Sequence, residues 1–126
     1  MVSSAWLIVA VLYHDTGEAT ASHKLSARLL FSYTMYEDIQ LNNNTAIHNF
    51  EIFVDEHRAF IDYKERDGTY FLIHTEVPRE LEGHGVAATL VEKVFKYLEE
   101  NDFKMVPYCA YIKAYLKRHP EWERLT

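Results

Sequence analysis

Glu80-Leu81-Glu82-Gly83-His84-Gly85-Val86-Ala87 is the joint on which the reading of this chain turns. Two glycines one residue apart stand between a strand-like stretch ending at Pro78 and a helical stretch beginning at Val86. Glycine permits the tight turn, and its missing side chain lets backbone N–H groups converge on an anion. The N-terminus of the following helix adds partial positive charge, which favours a phosphate there. A bare Gly-x-Gly fits equally a strand-to-helix turn that needs glycine only for its dihedrals. A dinucleotide fingerprint is disfavoured, because Ala88 stands at the spacing of the third glycine and a meander precedes the loop. A P-loop is excluded by the missing Gly-Lys-Ser/Thr.

On the C-terminal side of this joint, Val86, Leu90, Val94 and Leu98 recur every four residues, with Glu92, Lys93, Lys96, Glu99 and Glu100 on the other face. That pattern predicts an amphipathic helix over 86–100, stopped by Asn101-Asp102. A short strand over 104–108 and a second helix over 110–118 follow, halted by Pro120. On the N-terminal side, Phe50, Ile52 and Val54 alternate with polar residues, as do Ala59, Ile61 and Tyr63, and 70–77 is rich in aromatic and β-branched residues. Asp55-Glu56-His57 reads as a turn and 64–68 as a charged hairpin loop ending in Asp67-Gly68. Asn42-Asn43-Asn44 reads as a polar turn cluster. The order from Ile47 is β-β-β-α-β-α, with the fourth strand parallel to the third through a crossover helix. Pro107 lacks a ladder donor and belongs where strand pairing stops or at an edge.

Further out, the chain of 126 residues divides near Met35. It has 13 basic and 19 acidic side chains and a net charge of -6. Residues 1–35 are neutral, with Lys24 and Arg28 against Asp15 and Glu18, so the whole excess of acid falls in 36–126. The first part is read as an N-terminal extension and 36–126 as the domain. An acidic balance lacks the clustered Lys and Arg that DNA or RNA phosphates require. The apolar run 5–13 is too short to span a bilayer and has no basic residue before it, so neither a membrane span nor secretion is expected. The one cysteine, Cys109, excludes an intramolecular disulfide and suits a reducing, cytoplasmic compartment. Seven histidines at 14, 23, 48, 57, 74, 84 and 119 form no ligand cluster, so no metal site is expected.

The glycine loop resembles the acetyl-CoA loop of the Gcn5-related N-acetyltransferase superfamily, whose pattern is Arg/Gln-x-x-Gly-x-Gly/Ala. Gly85 and Ala87 match its last two fixed positions, and Gly83 matches the common glycine after the first. The run from His74 to Val91 and the tail Val106-Pro107-Tyr108-Cys109 with Tyr115 to Trp122 are similar to its small single-domain YidJ-like branch. The resemblance covers roughly 38–126. It implies an α/β (α+β) fold, a mixed, mostly antiparallel sheet with a β-β-β-α-β-α core and a splayed cleft between the strands flanking the long helix. It also implies acetyl-CoA as cosubstrate, bound by Val77, Glu82, Gly83, His84, Gly85, Val86, Ala87 and Tyr108. Glu82 departs from the pattern, since a carboxylate takes the place of Arg or Gln. Binding there through backbone N–H groups tolerates it if the side chain turns to solvent.

Transfer of an acetyl group from a thioester to an amine needs a base for the amine, polarisation of the carbonyl and an acid for the leaving thiolate. His74 and Glu76 are two apart on one strand and share a face, so either can serve as base if that face meets the cleft. A hydrogen-bonded structural histidine and a solvated carboxylate are the plainer readings. Cys109 precedes a helix, whose dipole lowers a thiol pKa when the sulfur faces it. It is a candidate site-lining residue or covalent nucleophile, against the plain reading of a small buried hydrophobe. Tyr115 reads as a core residue. The expected function is acetyl transfer from acetyl-CoA to a primary amine, small molecule or protein, by direct transfer. The alternative is a non-catalytic CoA-binding or protein-interaction module on the same fold. Neither the acceptor nor the oligomeric state is legible.

Overall fold

The computed structural model describes residues 36–126. The extension read over 1–35, with its apolar run, lies outside the described residues. Five strands, β1 (Asn42–Asn44), β2 (Asn49–Val54), β3 (His57–Arg66), β4 (Thr69–Glu76) and β5 (Lys104–Pro107), form one sheet in sequence order. The first four are antiparallel neighbours. β5 runs parallel to β4 after the crossover helix α1 (Val86–Glu100), and α2 (Ala110–Arg118) follows it. The mixed sheet and the expected element order are both present, with one strand more than the sequence suggested.

That extra strand is β1. Its three asparagines have poor strand propensity, yet they pair with Asn49–Glu51. Long-range bonds override the local preference. Asn42 Nδ2 donates to Glu51 Oε1 at 2.7 Å, and the Tyr63 hydroxyl donates to Asn43 Oδ1 at 2.6 Å. The charged loop expected over 64–68 is shorter than the sequence suggested. The ladder continues to Arg66↔Thr69 and only Asp67-Gly68 turns, both at positive φ (51° and 82°) as a type I′ hairpin requires.

α1 follows its four-residue period: Val86, Leu90, Val94 and Leu98 are fully buried, as are Val91 and Phe95. They pack on the face of the sheet that carries Phe50, Ile52, Ala59, Ile61, Tyr63, Tyr70 and Leu72. α2 lies beside α1 on that same face. Tyr115 packs against Phe95 (5.9 Å between ring centroids), and its hydroxyl donates to Glu92 Oε2 at 2.5 Å. Burial, then the Glu92 carboxylate, drive the Tyr115 phenol far above its ordinary range, so it is a neutral core residue.

The other face of the sheet carries no helix among the described residues. Asn49 and Glu51 point there but are buried under Arg58, whose Nε donates to Glu51 Oε2 and whose Nη2 donates to Asn49 Oδ1, each at 2.5 Å. Asn49 also donates to Asp62. Burial raises the Glu51 pKa, but the Arg58 and Asn42 hydrogen bonds outweigh it and hold the carboxyl below its ordinary value.

Candidate active site

The site is built where β4 and β5 part. Their ladder ends at Leu72↔Pro107, while β4 continues for four residues to Glu76. Pro107 therefore sits at the last paired position, where its missing N–H costs nothing. The Leu72 carbonyl closes the ladder by accepting from the N–H groups of both Tyr108 (2.9 Å) and Cys109 (3.0 Å). Beyond it the edge of β4 has no strand beside it, which is the splayed cleft expected.

β4 also carries a bulge that the sequence did not reveal. Tyr63 pairs with Leu72 but Asp62 pairs with His74, so Ile73 is an extra residue and the side-chain parity switches there. Before the bulge Tyr70 and Leu72 face the helices. After it Thr75 takes that side, opposite the buried Ile61, while His74 and Glu76 face the other way with Asp62 and Phe60. The hidden switch follows from composition, since both parities of 73–76 carry polar residues.

At the mouth of the gap lies an open cavity of about 300 Å³, lined by His74, Thr75, Glu76, Val77, Glu82, Ala87 and Tyr111. Five of these are residues singled out from the sequence. Thr75 and Tyr111 were missed: the bulge turns Thr75 to this side, and the docking of α2 brings in Tyr111. His74 Nε2 and Glu76 Oε2 are 3.2 Å apart and both side chains are exposed. A carboxylate only accepts, so in the neutral imidazole Nε2 is the donor of this bond and Nδ1 carries the lone pair. Tyr108 is exposed and stacks on Phe71 at 6.1 Å, apart from the residues that line the cavity.

Cys109 caps α2 and is nearly buried, with Sγ 3.4 Å from Thr75 Oγ1. Burial pushes the thiol pKa up. The Thr75 hydroxyl and the backbone N–H groups of Ile112, Tyr111 and Thr75 outweigh it, leaving the thiol below its ordinary range.

The loop 82–87 turns on two glycines and leaves backbone donors open. Gly83 and Gly85 have φ of +80° and +77°, and Gly85 is the left-handed N-cap of α1. The N–H groups of Gly83, His84 and Gly85 donate to nothing among the described residues, and the first turn of α1 adds its own orphan donors. A Cβ on either glycine would meet no atom within 4 Å, so the space in front of them is open. Val86 is fully buried and offers only its backbone. The N–H of Glu82 is already bonded to the Arg79 carbonyl at 3.1 Å, so Glu82 borders the cavity without a free backbone donor. Among the described residues no group of three or more His, Cys, Asp or Glu is placed to hold a metal ion, and no helix is long and apolar enough to cross a membrane.

The family model described as GCN5-related N-acetyl-transferase matches residues 49–125, more than half of the chain. The chain belongs to that family. The match spans β2 to the C-terminal turn, and so includes the loop, both cleft strands and Cys109. In fold, the chain is similar to the NMR solution structure of a GCN5-like protein from Staphylococcus aureus. The two align with a TM-score of 0.52 and 27% identity, covering 70% of this chain and 85% of that one. Family and fold make this GCN5-related protein an acyltransferase.

Proposed function

We propose that the protein is an acetyl-CoA-dependent N-acetyltransferase that acetylates a primary amine by direct transfer in the gap between β4 and β5. The observation that carries this reading is the parting of the two strands at Leu72 beside a loop of unpaired N–H groups. The loop fits a pyrophosphate, through the N–H groups of Gly83, His84 and Gly85 and of Val86 and Ala87 in the first helical turn. Val77 and Tyr108 flank the gap into which the thioester arm extends. Acetyl-CoA supplies the activated acetyl group and a thiol leaving group.

The chain's own residues supply the rest. His74 Nδ1, left free in the neutral imidazole by the His74–Glu76 bond, takes the proton of the attacking amine, and Glu76 stabilises the imidazolium until the departing CoA thiolate takes the proton to leave as the thiol. An exposed pair suits an acceptor that approaches from solvent, such as an amine on a protein or a loosely chosen small molecule. Cys109 lines the gap. The surplus of acid over base in 36–126 favours cationic acceptors. The catalytic unit is 36–126, with 1–35 as an extension and the cytoplasm as its compartment.

A second reading has one observation in its favour. Cys109 stands at the start of α2 with its sulfur 3.4 Å from the Thr75 hydroxyl, which suits a covalent route: the sulfur displaces the CoA thiolate, takes the acetyl group and passes it to the amine. Incubation with acetyl-CoA and a panel of amines, followed by thiol release, tests both routes. Release that depends on the amine supports transfer. CoA binding with no release above background would make the protein a binding module. Turnover that survives Cys109→Ala would exclude the covalent route.

A further inference from the structure

The bulge at Ile73 decides which side chain stands across from Cys109. In a regular strand the residue after Leu72 on the helix-facing side would be His74. The extra residue moves His74 to the opposite face and brings Thr75 round instead, its Oγ1 3.4 Å from Cys109 Sγ. The backbone of Cys109 is already pinned to β4 through the Leu72 carbonyl. The sulfur is therefore fixed at two points, by its backbone below the end of the ladder and by a hydroxyl above it.

We propose that Thr75 is the positioning residue of the cleft, holding the Cys109 sulfur across the gap and partnering it as both thiol and thiolate. The hydroxyl accepts a hydrogen bond from the thiol and, by rotating, donates one to the thiolate. It is the one side-chain donor among the groups that meet this sulfur, the others being backbone N–H groups of Thr75, Tyr111 and Ile112. The ionisable groups of the adjoining cavity are His74 and Glu76 on β4, Glu82 in the loop and Tyr111 on α2, and of these Tyr111, with Arg118 beside it, interacts electrostatically with Cys109. The hydroxyl and the N–H groups carry the stabilisation of the thiolate against the cost of burial. This deepens the covalent route described above, on which it rests, by naming what orients the sulfur that would carry the acetyl group.

The test titrates the thiolate in the full chain by its ultraviolet absorbance, as the difference from Cys109→Ala, which the single cysteine makes unambiguous. Thr75→Val should raise the titration midpoint by about one pH unit, because a hydrogen bond to a charged group is lost. Thr75→Ser keeps the hydroxyl and should stay near the wild-type midpoint. Thr75→Ala gives the same readout as Thr75→Val if the branched side chain disturbs folding, which thermal melting would reveal. Equal midpoints in wild type, Thr75→Val and Thr75→Ala would overturn the proposal. The titration uses neither CoA nor amine, so its outcome is independent of whether transfer is observed.

Discussion

The two halves of β4 are one strand with two fates. Residues 69–72 are paired on both sides, with β3 and β5, and they bury Tyr70 and Leu72 beneath the helices. Among the described residues, 74–76 keep β3 as their only strand partner, and they face a cavity. The first half is built into the core and the second borders the cavity, and the extra residue at Ile73 separates them. A strand can thus be anchored in a core at one end and present polar side chains at the other, without a loop in between.

Substitutions should respect that division. The largest effect on stability is expected in the first half. Leu72→Ala removes a fully buried side chain and should cost about 2–5 kcal/mol, read from chemical denaturation. A loss no larger than that of a surface change would mean that the first half is not the anchor. Gly85→Val places a β-branched residue at positive φ and blocks the space before the loop. It should cost about 1–2 kcal/mol of stability and weaken CoA binding tenfold or more, and unchanged affinity by calorimetry would reject the assigned loop. The smallest effect on stability is expected in the second half. His74→Ala and Glu76→Gln touch exposed side chains and should move stability by no more than about 0.5 kcal/mol. Either should slow transfer about a hundredfold, and a rate near wild type would remove the pair from the mechanism.

The sequence made some of this plain and hid the rest. α1 was legible to the residue, Val86–Glu100, because a four-residue apolar period ran between a glycine and an Asn-Asp stop. α2 was legible for the same reason, ending before Pro120. The parallel return of β5 followed from the helix between the strands. β1 was hidden because its pairing rests on Glu51 and Tyr63, which are distant in sequence from Asn42 and Asn43. At the site, the glycine loop, His74, Glu76 and Cys109 were all visible as residue types. Thr75 was not, because a bulge leaves no mark when polar residues occupy both parities around it. Tyr111 was not, because its place at the cavity follows from how α2 docks and not from spacing along the chain.

The lengths of the outer strands have a consequence for how molecules of this protein meet one another. β1 offers three residues at one margin of the sheet, and β5 offers four at the other, the last of them a proline. A neighbouring chain seeking to extend the ladder finds too few free backbone groups at either margin to register against. Asn42 and Asn44 spend their amides inward on Glu51, and Lys104 sets a charge on the far border. A small sheet bordered by two such short strands is in this way poorly suited to growing edge to edge.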